Sequence, residues 1–126
     1  MRNLLNSLAL VLAASVLSVP AYAADWVFVA GHSTTTFYVD RTSIRSVGSH
    51  KQALERHDYP GRSYEFVRRI LLVEYDCAGR RVRTLRATAY SRNGQNLNEP
   101  GHDWLGVARG TFGESLFDYV CFGRLS

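Results

Sequence analysis

The N-terminal 23 residues decide how much of this chain has to fold. Arg2 is followed by a stretch from residue 4 to residue 19 that is mostly Leu, Ala and Val, then by Pro20 and the A-x-A cleavage pattern of residues 21–23. The apolar run is shorter than the about 20 residues that a membrane span requires. We therefore expect a cleavable signal peptide over residues 1–23, no membrane span, and one exported domain over residues 24–126.

Export makes the two cysteines of the chain, Cys77 and Cys121, candidates for a disulfide. A bridge would close a loop of about 45 residues and contribute roughly 4 kcal/mol in the chain-entropy model. Two free buried thiols or a metal-binding pair are the alternatives. Because two cysteines without a close histidine make a poor zinc site, we favour the disulfide. Neither cysteine lies directly after the cleavage site, so the chain offers no lipidation site there.

Charge gives little indication of a ligand. Residues 24–126 carry 14 basic and 11 acidic side chains, for a net charge of +3. Basicity this mild does not require a polyanion, and export argues against nucleic acid. A length of 126 residues also leaves too little chain for most cofactor-binding α/β enzymes, and we expect no cofactor.

Frequent Gly and Pro residues divide the chain into short strands, and the pattern becomes helical at the end. Apolar side chains from residue 112 to residue 122 form one helical face, Thr111 and Glu114 match a capping box, and Gly123 suits the C′ position. The sequence predicts an α+β fold, a single antiparallel β-sheet of about five to six strands with a C-terminal helix packed on it. The predicted strands are Trp26–Ala30, Thr36–Val39, Gln52–Tyr59, Tyr64–Cys77, Arg81–Ser91 and, as a sixth, Gly101–Ala108.

A hairpin around Cys77 follows if Ala78-Gly79 is a two-residue turn. Asp76 then faces Arg81, Glu74 faces Arg83, and Leu72 faces Leu85. Each exposed acid–arginine pair contributes roughly 0.2–1 kcal/mol, and this pairing favours a solvated sheet face over a polyanion site. Val73, Tyr75 and Cys77 would form the core face. A three-residue bulged turn, which would shift the pairing by one, stays open.

A second local motif runs from Tyr38 to Ile44. Asp40 ends a strand and can accept the backbone N–H of Thr42 or Ser43, as an Asx-turn or helix cap. A calcium or catalytic role would need further carboxylates that the local sequence lacks. We therefore predict a structural turn.

The sequence shows no catalytic motif and no metal-ligand spacing. His57-Asp58 and His102-Asp103 are the His–acid neighbours, and on a strand such neighbours point to opposite faces. We predict no catalytic, cofactor-binding or metal-binding residue. Trp104, in a loop region bounded by Gly and Asp, is the candidate for an exposed interaction residue.

Several motifs occur in order along residues 24–126. They are Trp26, Tyr38-Val39-Asp40 with Ser43-Ile44, Glu74-Tyr75-Asp76-Cys77 with Arg83, Tyr90-Ser91, Trp104, and Gly113-Glu114 with Cys121. Their order and spacing resemble those of the bacterial surface-adhesin protein E family. The resemblance implies an antiparallel sheet with a C-terminal helix, a Cys77–Cys121 bridge, and an exported protein of a Gram-negative envelope. The family takes its name from an adhesin that binds host matrix and serum proteins.

Three hypotheses for function follow. The first is a non-enzymatic, exported protein-binding module that engages a host matrix or envelope protein through a sheet face or edge, with a homodimer left open. The second is a structural or accessory periplasmic protein. The third and least favoured is a small periplasmic hydrolase, which would need a pocket that joins His57 or His102 to a carboxylate. The expected location is the periplasm, the medium or the cell surface.

Overall fold

The computed structural model describes residues 23–61 and 64–126. Almost all of the predicted signal peptide, residues 1–22, lies outside the described residues. The described residues form eight β-strands, a 3-10 turn at Arg41–Ser43 and an α-helix. The elements are β1 (Trp26–His32), β2 (Thr35–Asp40), β3 (Arg45–Val47), β4 (His50–Asp58), β5 (Phe66–Asp76), β6 (Arg81–Ser91), β7 (Asn96–Pro100), β8 (Leu105–Gly106) and α1 (Phe112–Phe122).

One curled antiparallel sheet contains all of these strands. The main order is β1-β2-β4-β5-β6-β7, while β3 extends the sheet beside β4 and β8 pairs with β6. Each main strand therefore lies next to a strand close to it in sequence, as in a meander. The predicted fold class, an antiparallel sheet with a C-terminal helix and one disulfide, is confirmed.

The predicted sixth strand, Gly101–Ala108, is confirmed only as the two-residue β8, so its predicted length is wrong. Within residues 101–108, strand structure is limited to the two residues of β8, and the strand that extends the sheet beyond β6 is β7. The side chains of β7 are largely exposed, and Leu97 is its one large apolar residue. Because such an edge strand buries almost nothing, it lacks the apolar alternation that marks a strand in sequence. The three exposed residues of β3 were missed for the same reason.

The β5–β6 hairpin keeps most of the predicted register. Asp76 pairs with Arg81 and Glu74 with Arg83, but the connection is four residues long and its last residue, Arg80, adopts a left-handed φ of 50°. The predicted pairing of Leu72 with Leu85 is wrong. A bulge between Leu72 and Val73 shifts the register, so that Leu72 pairs with Arg86.

Helix α1 has the predicted bounds and caps. The Thr111 hydroxyl accepts the N–H of Glu114 at 3.2 Å, and Gly123 adopts the left-handed conformation with a φ of 68°. The Glu114 carboxylate accepts the N–H of Gly110 at 3.2 Å. In residues 23–61 and 64–126, no helix has both the length and the apolar character needed to cross a bilayer.

One side of the helix packs on one side of the sheet and forms the core. The predicted disulfide joins Cys77, after β5, to Cys121 in the last turn of α1, with 5.6 Å between their Cα atoms. The bridge therefore fixes the C-terminal end of the helix to the hairpin. The buried core residues are Val29, Val39, Ala53, Val73, Tyr75, Leu116, Phe117, Val120 and Cys121.

Candidate interaction surface on the outer sheet face

The side of the sheet opposite α1, called the outer face below, carries most of the residues that the sequence singled out. Alternate residues of a strand point to opposite faces. Val39, Ala53 and Val73 point toward α1, so their neighbours Tyr38 and Glu74 point outward. The register therefore places strand residues from several predicted motifs on one surface.

Trp104 packs over two arginines of β6 at one end of the outer face. The guanidinium carbons of Arg81 and Arg83 each lie 4.6 Å from the centroid of its ring. The ring of His50, at the start of β4, approaches the indole edge to face at 5.3 Å. Trp104 is thus partly buried against charged side chains, a cation–π arrangement, rather than fully exposed as an isolated loop residue.

Beneath this layer lies the carboxylate of Glu74, which is only 6% exposed. It accepts hydrogen bonds from Gln52 at 2.9 Å and Arg83 at 3.1 Å, and His50 Nδ1 lies 3.0 Å from it. The hydrogen bond from Gln52, then those of His50 and the charge of Arg83, lower the pKa of Glu74 below its ordinary value, against the opposing effect of burial. The prediction of an exposed Glu74–Arg83 pair is therefore wrong for Glu74, because its carboxylate is buried among Gln52, Arg83 and His50.

Asp76 makes the second predicted acid–arginine pair closer to the turn. Its carboxylate accepts from Arg81 Nε at 2.8 Å and from the N–H of Gly79 at 2.9 Å. The hydrogen bond from Arg81, followed by that of Gly79, lowers the pKa of Asp76. Both arginines under Trp104 are therefore held by an acid of β5.

A second arginine–aromatic cluster lies at the β1–β2 side of the outer face. The guanidinium of Arg56 lies 4.2 Å from the ring centroid of Tyr38 and 5.2 Å from that of Trp26, and it pairs with Asp58 at 3.1 Å. Phe28 contacts Tyr38 edge to face at 5.8 Å and is 54% exposed. Arg56 Nε is buried and has no hydrogen-bond partner in the described part of the chain.

Asp40 and Ser43 lie at the β2 end, where they hold the chain. Asp40 Oδ1 accepts the N–H groups of Thr42 and Asp25, both at 3.0 Å. The Ser43 hydroxyl donates to the Asp40 carbonyl at 2.6 Å and accepts the N–H of Leu54 on β4 at 2.8 Å. Asp40 is only 5% exposed, and these bonds give it the geometry of a structural turn.

A third group of polar residues lies on the opposite side of the sheet, under α1. His57 Nε2 lies 2.9 Å from Glu55 Oε1, and the Tyr75 hydroxyl donates to Glu55 Oε2. His57 was predicted to have Asp58 as its acidic neighbour, but Asp58 lies on the other face of β4. Residues i and i+2 share a face of a strand, so Glu55 could have been found by that spacing.

The cavity beside Glu55 and His57 brings a histidine to a carboxylate, which is the geometric condition set for a hydrolase. Thr84 is the aliphatic hydroxyl among the described residues that line it, and no serine or cysteine does. In the described ranges, no group of three or more His, Cys, Asp or Glu residues is placed to hold a metal ion.

Four residues of this surface were not predicted from the sequence: Trp26, Phe28, His50 and Arg56. Trp26 and Phe28 lie in a strand predicted to be buried, and Arg56 lies in a strand with only a weak sequence pattern. Their clustering depends on which strands are neighbours, and that order is not visible in the local pattern. In the sheet register Phe28 and Arg56 both lie opposite Tyr38, while Trp26 lies opposite Asp40 and His50 opposite Val47.

Comparison with known proteins gives two findings. The family model described as Surface-adhesin protein E matches residues 26–122, which confirms the resemblance predicted from the sequence motifs. The crystal structure of Haemophilus influenzae protein E, crystal form II, is similar in fold, with a TM-score of 0.58 and 16% sequence identity. That likeness covers 86% of this chain and 98% of the other. No curated protein sequence matches the chain.

Proposed function

Because the chain belongs to the surface-adhesin protein E family, we propose that it is an exported, adhesin-like binding module that holds a partner protein on its outer face. The observation that carries this proposal is the pair of arginine–aromatic clusters around Trp104 and Arg56. Trp, Tyr and Arg are the residue types that contribute most to protein–protein binding energy. Their concentration on the side away from α1 favours that side as the contact surface.

The hydrogen bonds below Trp104 support this choice of surface. Arg83 is held between Trp104 and the buried Glu74, and Arg81 is held by Asp76. Side chains fixed before binding lose less conformational entropy on association than mobile ones do. The outer face therefore offers preorganised contacts rather than flexible charges.

The proposed partner is a host matrix protein or an envelope protein, and the proposed role is adhesion rather than catalysis. Binding should be measured by surface plasmon resonance against a panel of purified matrix proteins and purified envelope proteins. Two phenylalanines provide a matched pair of variants for any partner that binds. Phe28, on the outer face, is 54% exposed and contacts Tyr38 at 5.8 Å, whereas Phe122, at the end of α1, is 50% exposed and contacts Phe117 at 5.9 Å.

We expect Phe28→Ala to weaken binding by about tenfold or more, the size of a typical hot-spot loss, and Phe122→Ala to leave it nearly unchanged. Equal losses in the two variants would indicate a general effect on the fold. A loss confined to Phe122→Ala would overturn the choice of the outer face.

The location of the protein separates adhesion from an accessory periplasmic role. The proposed signal peptide predicts a mature N-terminus at Ala24, which N-terminal sequencing of the exported protein can check. Protease treatment of intact cells should degrade a surface-displayed adhesin. Complete protection in intact cells, with recovery in the periplasmic fraction, would favour the accessory function instead.

A further inference from the structure

A cavity of about 220 Å³ lies between the N-terminal end of α1 and the inner side of the sheet. Its walls are mainly apolar and include two stacked phenylalanine rings, Phe37 and Phe112, whose centroids are 5.2 Å apart. Leu71 and Val82 complete the opposite wall. A cavity of about 150 Å³ can hold a benzene ring, so this one has room for a ring with a short polar substituent.

The polar part of the cavity contains the buried carboxylate of Glu55, and neither of its described hydrogen-bond partners carries a permanent positive charge. Glu55 is 6% exposed and makes its described polar contacts with Tyr75 and His57. Burial, and then the neighbouring Glu55 charge, raise the pKa of Tyr75 well above its ordinary value, so the phenol stays protonated as a donor. Each carboxylate oxygen accepts from one of these residues and keeps capacity for a second donor.

Glu55 pairs with His57 Nε2 at 2.9 Å, a partner that is charged only when the imidazole is protonated, and no lysine or arginine of the described chain forms an ion pair with it. Arg69, which faces His57 across the β4–β5 ladder, pairs with Glu99 at 2.9 Å instead. A buried carboxylate without a fixed cationic partner is costly, and a ligand that brings a positive charge would offset that cost. Aromatic rings next to the carboxylate add a surface that attracts cations.

From this geometry we propose that the cavity binds a small apolar ammonium ion, with its charged nitrogen at Glu55 and its apolar part against Phe37 and Phe112. The ligand class is an arylalkyl or alkyl ammonium, either free or as the side chain of a partner. This site lies on the side of the sheet opposite the proposed protein-binding surface. The two proposals can therefore fail separately.

The test is a titration of the isotopically labelled protein, followed by amide NMR shifts, with three probes of similar size and different charge. Benzylammonium carries the proposed charge, benzyl alcohol is a neutral analogue and benzoate is its anionic counterpart. We expect benzylammonium to bind about tenfold or more tightly than benzyl alcohol, and benzoate to bind least. Shifts should be centred on β4, β5 and the first turn of α1.

Glu55→Gln should abolish the preference for benzylammonium while benzyl alcohol still binds, because the variant removes the charge and keeps the shape. Glu65→Gln, which removes an exposed carboxylate outside the cavity, is the matched control and should change nothing. If Glu55→Gln does not fold, the affinities of the three probes for the unaltered protein still show whether the cavity prefers a positive charge. Equal affinities for benzylammonium and benzyl alcohol, or shifts centred on the outer face, would overturn the proposal.

An alkylammonium side chain remains distinguishable from a free amine. A lysine-containing tripeptide that competes with benzylammonium would indicate a partner side chain as the source. Competition by free amines alone would indicate a small-molecule ligand.

Discussion

The ring of Trp104 covers the guanidinium of Arg83, with 4.6 Å between the ring centroid and the guanidinium carbon. The same guanidinium donates to the buried carboxylate of Glu74 at 3.1 Å. A residue of the loop after β7 therefore closes the end of a polar network that begins on β4 and β5. This arrangement links the stability of the hairpin to the surface proposed for binding.

Trp104→Ala should destabilise the protein by about 1–2 kcal/mol, because it removes two cation–π contacts, one of them to the arginine that pairs with Glu74. Trp104→Phe should recover part of this loss, since a smaller ring can still cover one guanidinium. The free energy of unfolding from urea titrations measures both effects. A change within about 0.5 kcal/mol for Trp104→Ala, as at ordinary surface sites, would contradict the packing of the indole.

The lowered pKa of Glu74 predicts how stability depends on pH. Because the folded-state pKa lies below the unfolded one, the stabilisation by Glu74 is complete above the unfolded value and is lost as the pH falls through the folded value. Glu74→Gln should therefore be less stable than the parent at pH near 7, and the difference should shrink on acidification. Urea midpoints at several pH values give the measurement.

Asp76→Asn is the control for that series. In the parent protein the pKa of Asp76 is also lowered, chiefly by the hydrogen bond from Arg81, but the Asp76 carboxylate lies nearer the turn. Glu74 remains intact in Asp76→Asn. The part of the acid dependence that Glu74 contributes should disappear in Glu74→Gln and persist in Asp76→Asn, while the part that Asp76 contributes should persist in Glu74→Gln. If both parent and Glu74→Gln lose stability in parallel on acidification, Glu74 is not responsible.

The disulfide predicts a large effect of reduction. Cys77 and Cys121 are separated by 44 residues in sequence, and closing a loop of that length contributes about 4 kcal/mol in the chain-entropy model. Cys77→Ser, Cys121→Ser and the double variant should therefore show similar losses of stability. A reducing agent should destabilise the parent and leave the double variant unchanged, which urea titrations can check. Equal sensitivity to the reducing agent in both proteins would contradict the bridge.

Local sequence patterns predicted the parts of the fold that bury apolar groups. Helix α1 and the Glu74–Arg83 pairing follow from period and turn position alone. The bulge beside Leu72 was missed because an alternating sequence pattern does not show which residue stays unpaired in the sheet. Strand β7 was missed because it is exposed, so that backbone pairing with β6 defines it rather than its side chains.

The interaction surface was less predictable, because it depends on strand order. The sequence identified both Trp104 and the acid–arginine pairs. It predicted Trp104 as an exposed loop residue and the pairs as part of a solvated sheet face. Only the sheet brings His50 to Trp104 and Arg56 between Trp26 and Tyr38. These contacts join residues that are from 18 to 54 positions apart in the sequence.

Two glycines of the helical region should respond in opposite directions to the same substitution. Gly113, in the first turn of α1, has helical geometry, and an added Cβ would meet only the Thr111 hydroxyl at an ordinary 3.6 Å. Gly113→Ala should therefore stabilise the protein by about 0.4–1 kcal/mol through reduced freedom of the unfolded chain. Gly123 has a φ of 68°, so Gly123→Ala should destabilise it by about 1–2 kcal/mol. Thermal unfolding of the two variants beside the parent gives the sign directly, and a shift in the same direction for both would contradict the C-terminal cap.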